Sequence, residues 1–426
     1  MESMVKKFFI DRLLRQYMGA CIRYSAMILV FFIFSSVICI SCKHEKVENL
    51  PNDDYYVAAY VWPSCHYEER NAEMLWPENT GEWEIIQKGT PRFDGHYQPK
   101  VPLWGYEMDD DPEVMEKWIE AATDHGVNVF IFDWYWYGGK PFLESTINNG
   151  FLKSRNNKKM KFYIMWANHD VKKNYWNHYK YDSDSLLWTG SVDQENYKII
   201  VDRVIKQYFM KPNYFKIDDK PVFSIFNFGK FISDFNGLAE AKDALDYFRE
   251  ETKKVGFPGL HIQVIAFGGD KNPAILSHSL SEGKSANELI SYLGINSLTK
   301  YNWGQATGRE DYIKWGEEAM IRRSNWDSSI DIPYFPNVSI GWDDTPRFPN
   351  KSKTHVINYN NSPESFAAYL QKAREFVQDH PEEPNLITIF SWNEWVEGGY
   401  LLPDMRSGFG YLEAVENVMS GKYDKY

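Results

Sequence analysis

Short apolar, strand-like runs that alternate with longer helix-like stretches limit what this chain can fold into more than any other feature of its sequence. Eight such runs occur in order: Tyr56–Trp62, Val127–Asp133, Lys161–Trp166, Pro221–Phe226, His261–Phe267, Leu293–Leu298, Tyr334–Ile340 and Leu386–Trp392. Each is about five to eight residues long, the usual length of a strand. Strands that alternate with helices pair in parallel, because a parallel neighbour is reached only through a crossover connection. Between them, Asp111–His125 reads as a helix opened by Asp111-Pro112 as N-cap and first helical residue and stopped by Gly126. Ser362–His380 opens in the same way at Ser362-Pro363 and carries Ala367, Leu370, Ala373 and Val377 at helical spacing, while Leu238–Val255 ends just before Gly256. The pattern predicts an α/β fold, a (β/α)8 TIM barrel occupying residues 55–426 as a single catalytic domain. An open doubly wound sheet is the alternative, and it rests on Leu293–Leu298, which Gly294 and Asn296 weaken. No glycine-rich nucleotide fingerprint follows any of the runs.

The first 42 residues read as targeting rather than fold. Lys6, Lys7, Arg12, Arg15 and Arg23 precede an apolar run, Ala26–Ile40, that ends at Ser41-Cys42, the pattern of a signal peptide. The run is shorter than the roughly 20 apolar residues of a comfortable membrane span, with an uncleaved N-terminal anchor as the other reading. Cys39-Ile40-Ser41-Cys42 resembles a bacterial lipoprotein cleavage site, with Cys39 where a leucine is usual. On that reading Cys42 is lipidated and becomes the mature N-terminus, residues 43–54 form a polar tether, and the protein is exported to the bacterial cell envelope, in the outer membrane or periplasm. The start itself is either Met1 or a later methionine, Met18 or Met27. Cys21 and Cys39 would leave with the signal peptide, so Cys65 stays as a lone thiol with no disulfide framework, read as packed rather than nucleophilic. A net charge of −12 argues against a nucleic-acid partner, and a monomer is expected.

In a barrel of this kind functional side chains sit where strands end and the following loops begin. Five of the predicted strand ends carry polar and aromatic residues together. They are Tyr60 and Trp62; Asp133, Tyr135 and Trp136; Trp166, Asn168 and His169; Trp342 and Asp343; and Trp392, Asn393, Glu394, Trp395 and Glu397. His96 and Gln98 follow Gly95 in a loop after the first run. With 17% of the chain aromatic, such clusters suit a neutral polyhydroxylated ligand, since rings accept the C–H faces of sugars and the carboxylates and amides between them take hydroxyls. Each cluster taken alone has barrel-end packing as its other explanation. The same holds for His169 and Asp170, read as a binding pair or a structural one, and for Arg347, read as pairing with Asp343 or Asp344 in preference to clamping an anionic sugar. Asp133, His169, Asp170, Asp343 and Asp344 show no metal-ligand spacing, so neither a metal nor a cofactor is expected. The sharpest element is Glu394-Trp395-Val396-Glu397, because glycosidic cleavage needs one carboxyl to protonate the departing oxygen and a second group to assist at or near C1.

Trp392-Asn393-Glu394-Trp395-Val396-Glu397-Gly398 resembles the WbsX-type family, together with Gly95-His96-Tyr97-Gln98-Pro99, Trp166-Ala167-Asn168 and Gly341-Trp342-Asp343-Asp344-Thr345-Pro346-Arg347. That family is itself similar to glycoside hydrolase family 99. The resemblance covers residues 55 to 405 in order and implies a (β/α)8 barrel acting on α-mannosides. It implies Glu397 as general acid and later base, and Glu394 as the base that takes the proton of the sugar 2-hydroxyl, giving a 1,2-anhydro intermediate and net retention. It also requires Glu397 protonated while Glu394 is ionised. Val396 stands where a histidine is common, and His169-Asp170 where Glu-Asn is common, which leaves the sugar open. The expected function is hydrolysis of an α-linked, mannan-like glycan, with oligo- or polysaccharide as partner. The alternatives are a WbsX-type glycosyltransferase, for which no sugar-nucleotide diphosphate site is seen, and a non-catalytic glycan-binding lipoprotein.

Overall fold

Nine parallel strands lie side by side in the computed structural model, which describes residues 55–267, 275–304, 309–348 and 357–423. The segment expected to be a signal peptide, Cys42 and the expected tether lie outside the described residues. The strands are β1 (Tyr56–Val61), β2 (Val129–Tyr137), β3 (Lys161–Trp166), β4 (Lys220–Ile225), β5 (His261–Ile265), β6 (Ser297–Thr299), β7 (Tyr334–Phe335), β8 (Asn337–Ser339) and β9 (Leu386–Phe390). Their order is β7-β6-β5-β4-β3-β2-β1-β9-β8. β7 and β8 are two halves of the predicted run Tyr334–Ile340, divided by Pro336, which has no N–H to give a ladder. β7 pairs with β6 and β8 with β9, and the Pro336 carbonyl still accepts from Thr388 N at 2.9 Å. The nearly closed barrel is therefore completed through this one stretch of chain. β1, the first strand, pairs with β9, the last, in the register Tyr56↔Leu386.

Helices cover the outside of the ring: α1 (Pro112–Asp124), α2 (Gln194–Val204), α3 (Leu238–Lys254), α4 (Ala286–Leu293), α5 (Tyr312–Asp327), α6 (Pro363–Gln378) and α7 (Gly410–Met419). The end signals act as the sequence implies. The Asp111 side chain accepts from Glu113 N with Pro112 in the first turn, and Ser362 forms a reciprocal capping box with Ser365. Each helix turns one stripe inward. α3 buries Leu238, Leu245 and Phe248, each contributing about 1.5–3 kcal/mol relative to exposure.

Two predicted strands need correction. Leu293 is the last residue of α4, which Ser285 and Glu288 box at its start and Gly294, at φ +65°, caps at its end. The strand expected over Leu293–Leu298 is only Ser297–Thr299, because that glycine ends a helix rather than interrupting a strand. β2 begins two residues late and runs on to Tyr137, where it turns back and pairs antiparallel with Lys140–Phe142. Asp133 and Tyr135 are thereby carried to the C-terminal rim. Cys65 is buried, with its backbone N–H on Asp109 Oδ2 at 2.9 Å, as a packed thiol should be. Among the described residues no helix is long and apolar enough to cross a membrane.

Candidate active site

Strand pleating decides which rim residues face inward. Along β2, Asp133 and Tyr135 look into a cavity of about 470 Å³ at the C-terminal end of the barrel. Trp134 and Trp136 point the other way and stack on each other with centroids 5.9 Å apart, Trp134 donating to Glu144 at 2.8 Å. After β9 the chain is latched to the end of β1: Asn393 Oδ1 accepts from Trp62 N (2.8 Å) and Asn393 Nδ2 donates to Trp62 O (2.7 Å). The next residue, Glu394, donates its N–H to Ser391 Oγ at 2.7 Å. A single 3₁₀ turn over Trp395–Glu397 then sets Glu397 beside it, and Gly398, at φ +74°, ends the turn. Both glutamates reach the cavity.

Seven predicted residues line that cavity: Trp62, Asp133, Tyr135, His169, Trp342, Glu394 and Glu397. Ten do not, for two physical reasons. Tyr60, Trp136, Trp166, Trp392 and Trp395 are packing residues on buried faces. Tyr60 lies with its ring 4.7 Å from that of Tyr301. Trp166 sits among Tyr197, Phe223 and Phe231, Trp392 between Trp118 and Phe130, and Trp395 stacks on Tyr400 at 3.9 Å. Asn168, Asn393, His96, Gln98 and Asp343 spend their polar atoms on the scaffold. Asn168 ties the end of β3 to Asn227 after β4 through bonds of 2.9 and 2.7 Å.

Asp343 is the hub of the last three. Its carboxylate accepts from Lys100 Nζ (2.7 Å), Gln98 Nε2 (2.7 Å), His96 Nε2 (3.0 Å) and Thr345 Oγ1 (2.6 Å). Burial works against this charge, but Lys100 and His96 hold the carboxyl well below the usual range. The backbone N–H of Asp343 donates to Glu397 O at 2.7 Å, so the brace ends on the backbone of one of the two glutamates.

Of the two partners expected for Arg347, Asp343 is bound elsewhere and Asp344 feels the guanidinium charge, while the ion pairs of Arg347 run to the glutamates. Its Nη1 bonds Glu397 Oε1 and donates to Tyr175 Oη (3.0 Å), while Nη2 lies 3.7 Å from Glu394 and 3.9 Å from Glu82. Tyr175 donates to Glu397 Oε1 at 3.1 Å. Glu82 is fully buried and accepts from Trp62 Nε1 and, at 3.0 Å, from Ser64 Oγ. The Tyr301 hydroxyl lies 2.8 Å from Asp133 Oδ2 and 2.9 Å from Glu394 Oε2. Burial pushes Glu394 well up, reinforced by Glu397, Glu82 and Asp133 and offset by Arg347. Burial likewise raises Asp133 far above a normal carboxyl, and raises Glu82. Three carboxyls around one guanidinium, with Asp133 a fourth beyond Tyr301, cannot all be ionised in such a site. Among the described residues no group of three or more His, Cys, Asp or Glu is arranged to hold a metal ion.

Sequence reasoning missed Tyr301, Tyr175, Trp176, Phe226 and Glu82. A signal existed for Tyr301, since Lys300-Tyr301-Asn302-Trp303 after β6 has the same polar and aromatic character as the other strand ends. Tyr175 comes from a short helix, Lys173–Trp176, and Glu82 caps another, Trp83–Ile86, and nothing in the pattern ties either to a rim.

A model of the family described as "Glycosyltransferase WbsX" matches residues 57–415. A protein of Xanthomonas campestris pv. campestris described as "Uncharacterized protein WxcX" is 22% identical over 379 residues, which cover 85% of this chain and 49% of that one. The chain thus spans about half the length of the curated relatives it matches. Among solved structures, the GH99 endo-α-mannosidase from Bacteroides thetaiotaomicron superposes with a TM-score of 0.50 at 13% identity, covering 86% of this chain and 97% of that one. A structure described as "Glycoside hydrolase-like protein" superposes with a TM-score of 0.54 at 15% identity, covering 86% and 94%. At these identities the likeness establishes a shared barrel fold.

Proposed function

The chain belongs to the WbsX family, and from that premise we propose that it is a glycoside hydrolase that cleaves an α-linked, mannan-like glycan with Glu394 and Glu397. The observation that carries this reading is the placement of two adjacent glutamates on one wall of an aromatic-lined cavity, sharing Arg347. In its protonated form Glu397 is the acid that protonates the departing oxygen, and, left ionised beside Arg347 by that step, it is later the base that activates water. Glu394 takes the proton of the 2-hydroxyl, whose oxygen attacks C1, so that configuration is retained through a 1,2-anhydro sugar. Trp62, Tyr135 and Trp342 supply ring faces for the sugar, and His169 a polar contact. The raised Glu394 makes a strong base once it has lost its proton, so the cost of that loss is part of the mechanism.

The family's description favours a second reading, transfer from a sugar nucleotide. A transferase of that kind needs cations or helix N-termini presented to a diphosphate. Arg347, the cation nearest the pair, is instead bonded to carboxylates. The deciding experiment is sugar release from a panel of α-mannans and host and bacterial glycans by the wild-type protein and by Glu397→Gln. Release that falls by at least about 100-fold in the variant supports the hydrolase. Nucleoside diphosphate formed from a sugar nucleotide, without hydrolysis, would move the assignment to the transferase, and glycan binding without turnover would move it to a binding protein.

A further inference from the structure

We propose that Asp133, Tyr301 and Glu394 form a proton relay, in which Asp133 stores the proton that Glu394 must release before it can act as a base. Its use in catalysis rests on the hydrolase reading, whereas the sharing of the proton rests on geometry alone. Tyr301 stands between the carboxyls at 2.8 Å from Asp133 Oδ2 and 2.9 Å from Glu394 Oε2. A phenol has one proton to donate and lone pairs with which to accept. If both carboxyls were ionised, one of them would face the lone pairs of Tyr301 at hydrogen-bond distance with no proton between. The three groups therefore hold one proton besides the phenolic one: a protonated Glu394 donates to Tyr301, which donates to the Asp133 carboxylate, or the mirror arrangement holds.

Exchanging the two arrangements is a balanced step. The O–H bond of Glu394 breaks as its proton joins the Tyr301 oxygen, and the O–H bond of Tyr301 breaks as its proton joins Asp133 Oδ2. No electrons are gained or lost overall, and the triad keeps a single negative charge, now on Glu394. Glu394 is then free to take the 2-hydroxyl proton. Packing fixes the phenol between its two partners. Its ring lies against Tyr60 (4.7 Å), Phe226 (5.6 Å) and Phe390 (5.1 Å), and Asn337 Nδ2 donates to the Tyr301 carbonyl at 3.0 Å. Asp133 and Glu394 are each only 3% exposed, so Tyr301 is the direct link between them. Asp133 Oδ1 is buried without a partner, a costly state for an ionised carboxylate and a milder one for the neutral acid. The charged and titratable groups that face the triad include Glu397, Glu82, Arg347, Tyr135 and Tyr60, and His169, Lys300 and Arg322 line the same cavity.

Infrared spectra of the whole protein in water and heavy water read the carboxylic acid C=O stretch directly. At neutral pH the wild type should show a protonated-carboxyl band that loses the intensity of one carboxyl in Asp133→Asn and equally in Glu394→Gln, because either amide can donate to Tyr301 and leave its proton for the remaining carboxylate, while Glu82 and Asp344, whose carboxyls are also raised, absorb in all three proteins. Tyr301→Phe keeps both carboxyls and should change the pH at which the band titrates. A band that survives at full strength in Asp133→Asn, a wild type with no such band, or a titration unmoved by Tyr301→Phe would overturn the relay. On a glycan that the wild type cleaves, Asp133→Asn should lower kcat by at least about tenfold with KM unchanged and alter the pH profile. Should the wild type cleave nothing, the hydrolase reading fails while the spectra still decide the relay. If it cleaves and the variant keeps both band and pH profile, the relay fails and the hydrolase stands.

Discussion

Asp343 and Glu394 are both buried carboxyls near the same turn, and their neighbours send them in opposite directions. Lys100, His96, Gln98 and Thr345 surround the first with donors, whereas Glu397, Glu82 and Asp133 surround the second with like charge. Because Asp343 is held below its unfolded value of about 3.9, its contribution to stability is complete above that pH and is lost as the pH falls towards the folded value. Asp343→Asn leaves Lys100 buried without its counter-charge, at a cost of about 3–5 kcal/mol. Chemical denaturation at neutral pH should show that loss, and the acid limb of the variant's stability curve should be flatter than that of the wild type. An unchanged midpoint would mean that Lys100 finds another partner.

At the scale of elements, the strand ends act as units, each with a wet face and a dry one. The turn after β9 depends on Gly398, where a Cβ would lie 2.9 Å from Asp343 N and where φ is +74°. Gly398→Ala should cost about 1–2 kcal/mol in backbone strain and, by pushing on the Asp343–Glu397 backbone bond, reduce glycan cleavage more than it reduces the unfolding temperature. Equal losses in both would show that the turn matters for folding alone. The same elements show how far the sequence could be read. Strand-like runs, the Asp111-Pro112 and Ser362-Pro363 helix starts and the converging rims were legible, because they depend on local spacing. Which member of a rim cluster faces the cavity was not, since Asp133 and Trp134 differ only by the pleat, and its phase is set by pairing with β1 and β3. Tyr301 was lost with the misplacement of β6, where Gly294 reads equally as a flaw in a strand and as the cap of a helix. Glu82 and Tyr175 were out of reach, since only the folded chain brings them to Arg347.

For the whole molecule, the barrel accounts for the matched residues 57–415, and the segment before it raises the question of address. We propose that Cys42 carries the lipid that holds the protein at the cell envelope. Cys42→Ala should then abolish incorporation of labelled fatty acid and release the protein from the membrane fraction, whereas a variant still retained there would leave Ala26–Ile40 as the anchor. The latch between Trp62 and Asn393 joins positions 331 residues apart in the chain, and β1 is bordered on one side by β2 and on the other by β9. During synthesis the first strand must therefore wait, with one edge unpaired, until the last has left the ribosome. The glutamate pair follows that last strand directly, so a nascent chain has no assembled pocket, and any chaperone that attends it guards an open sheet edge rather than a finished site.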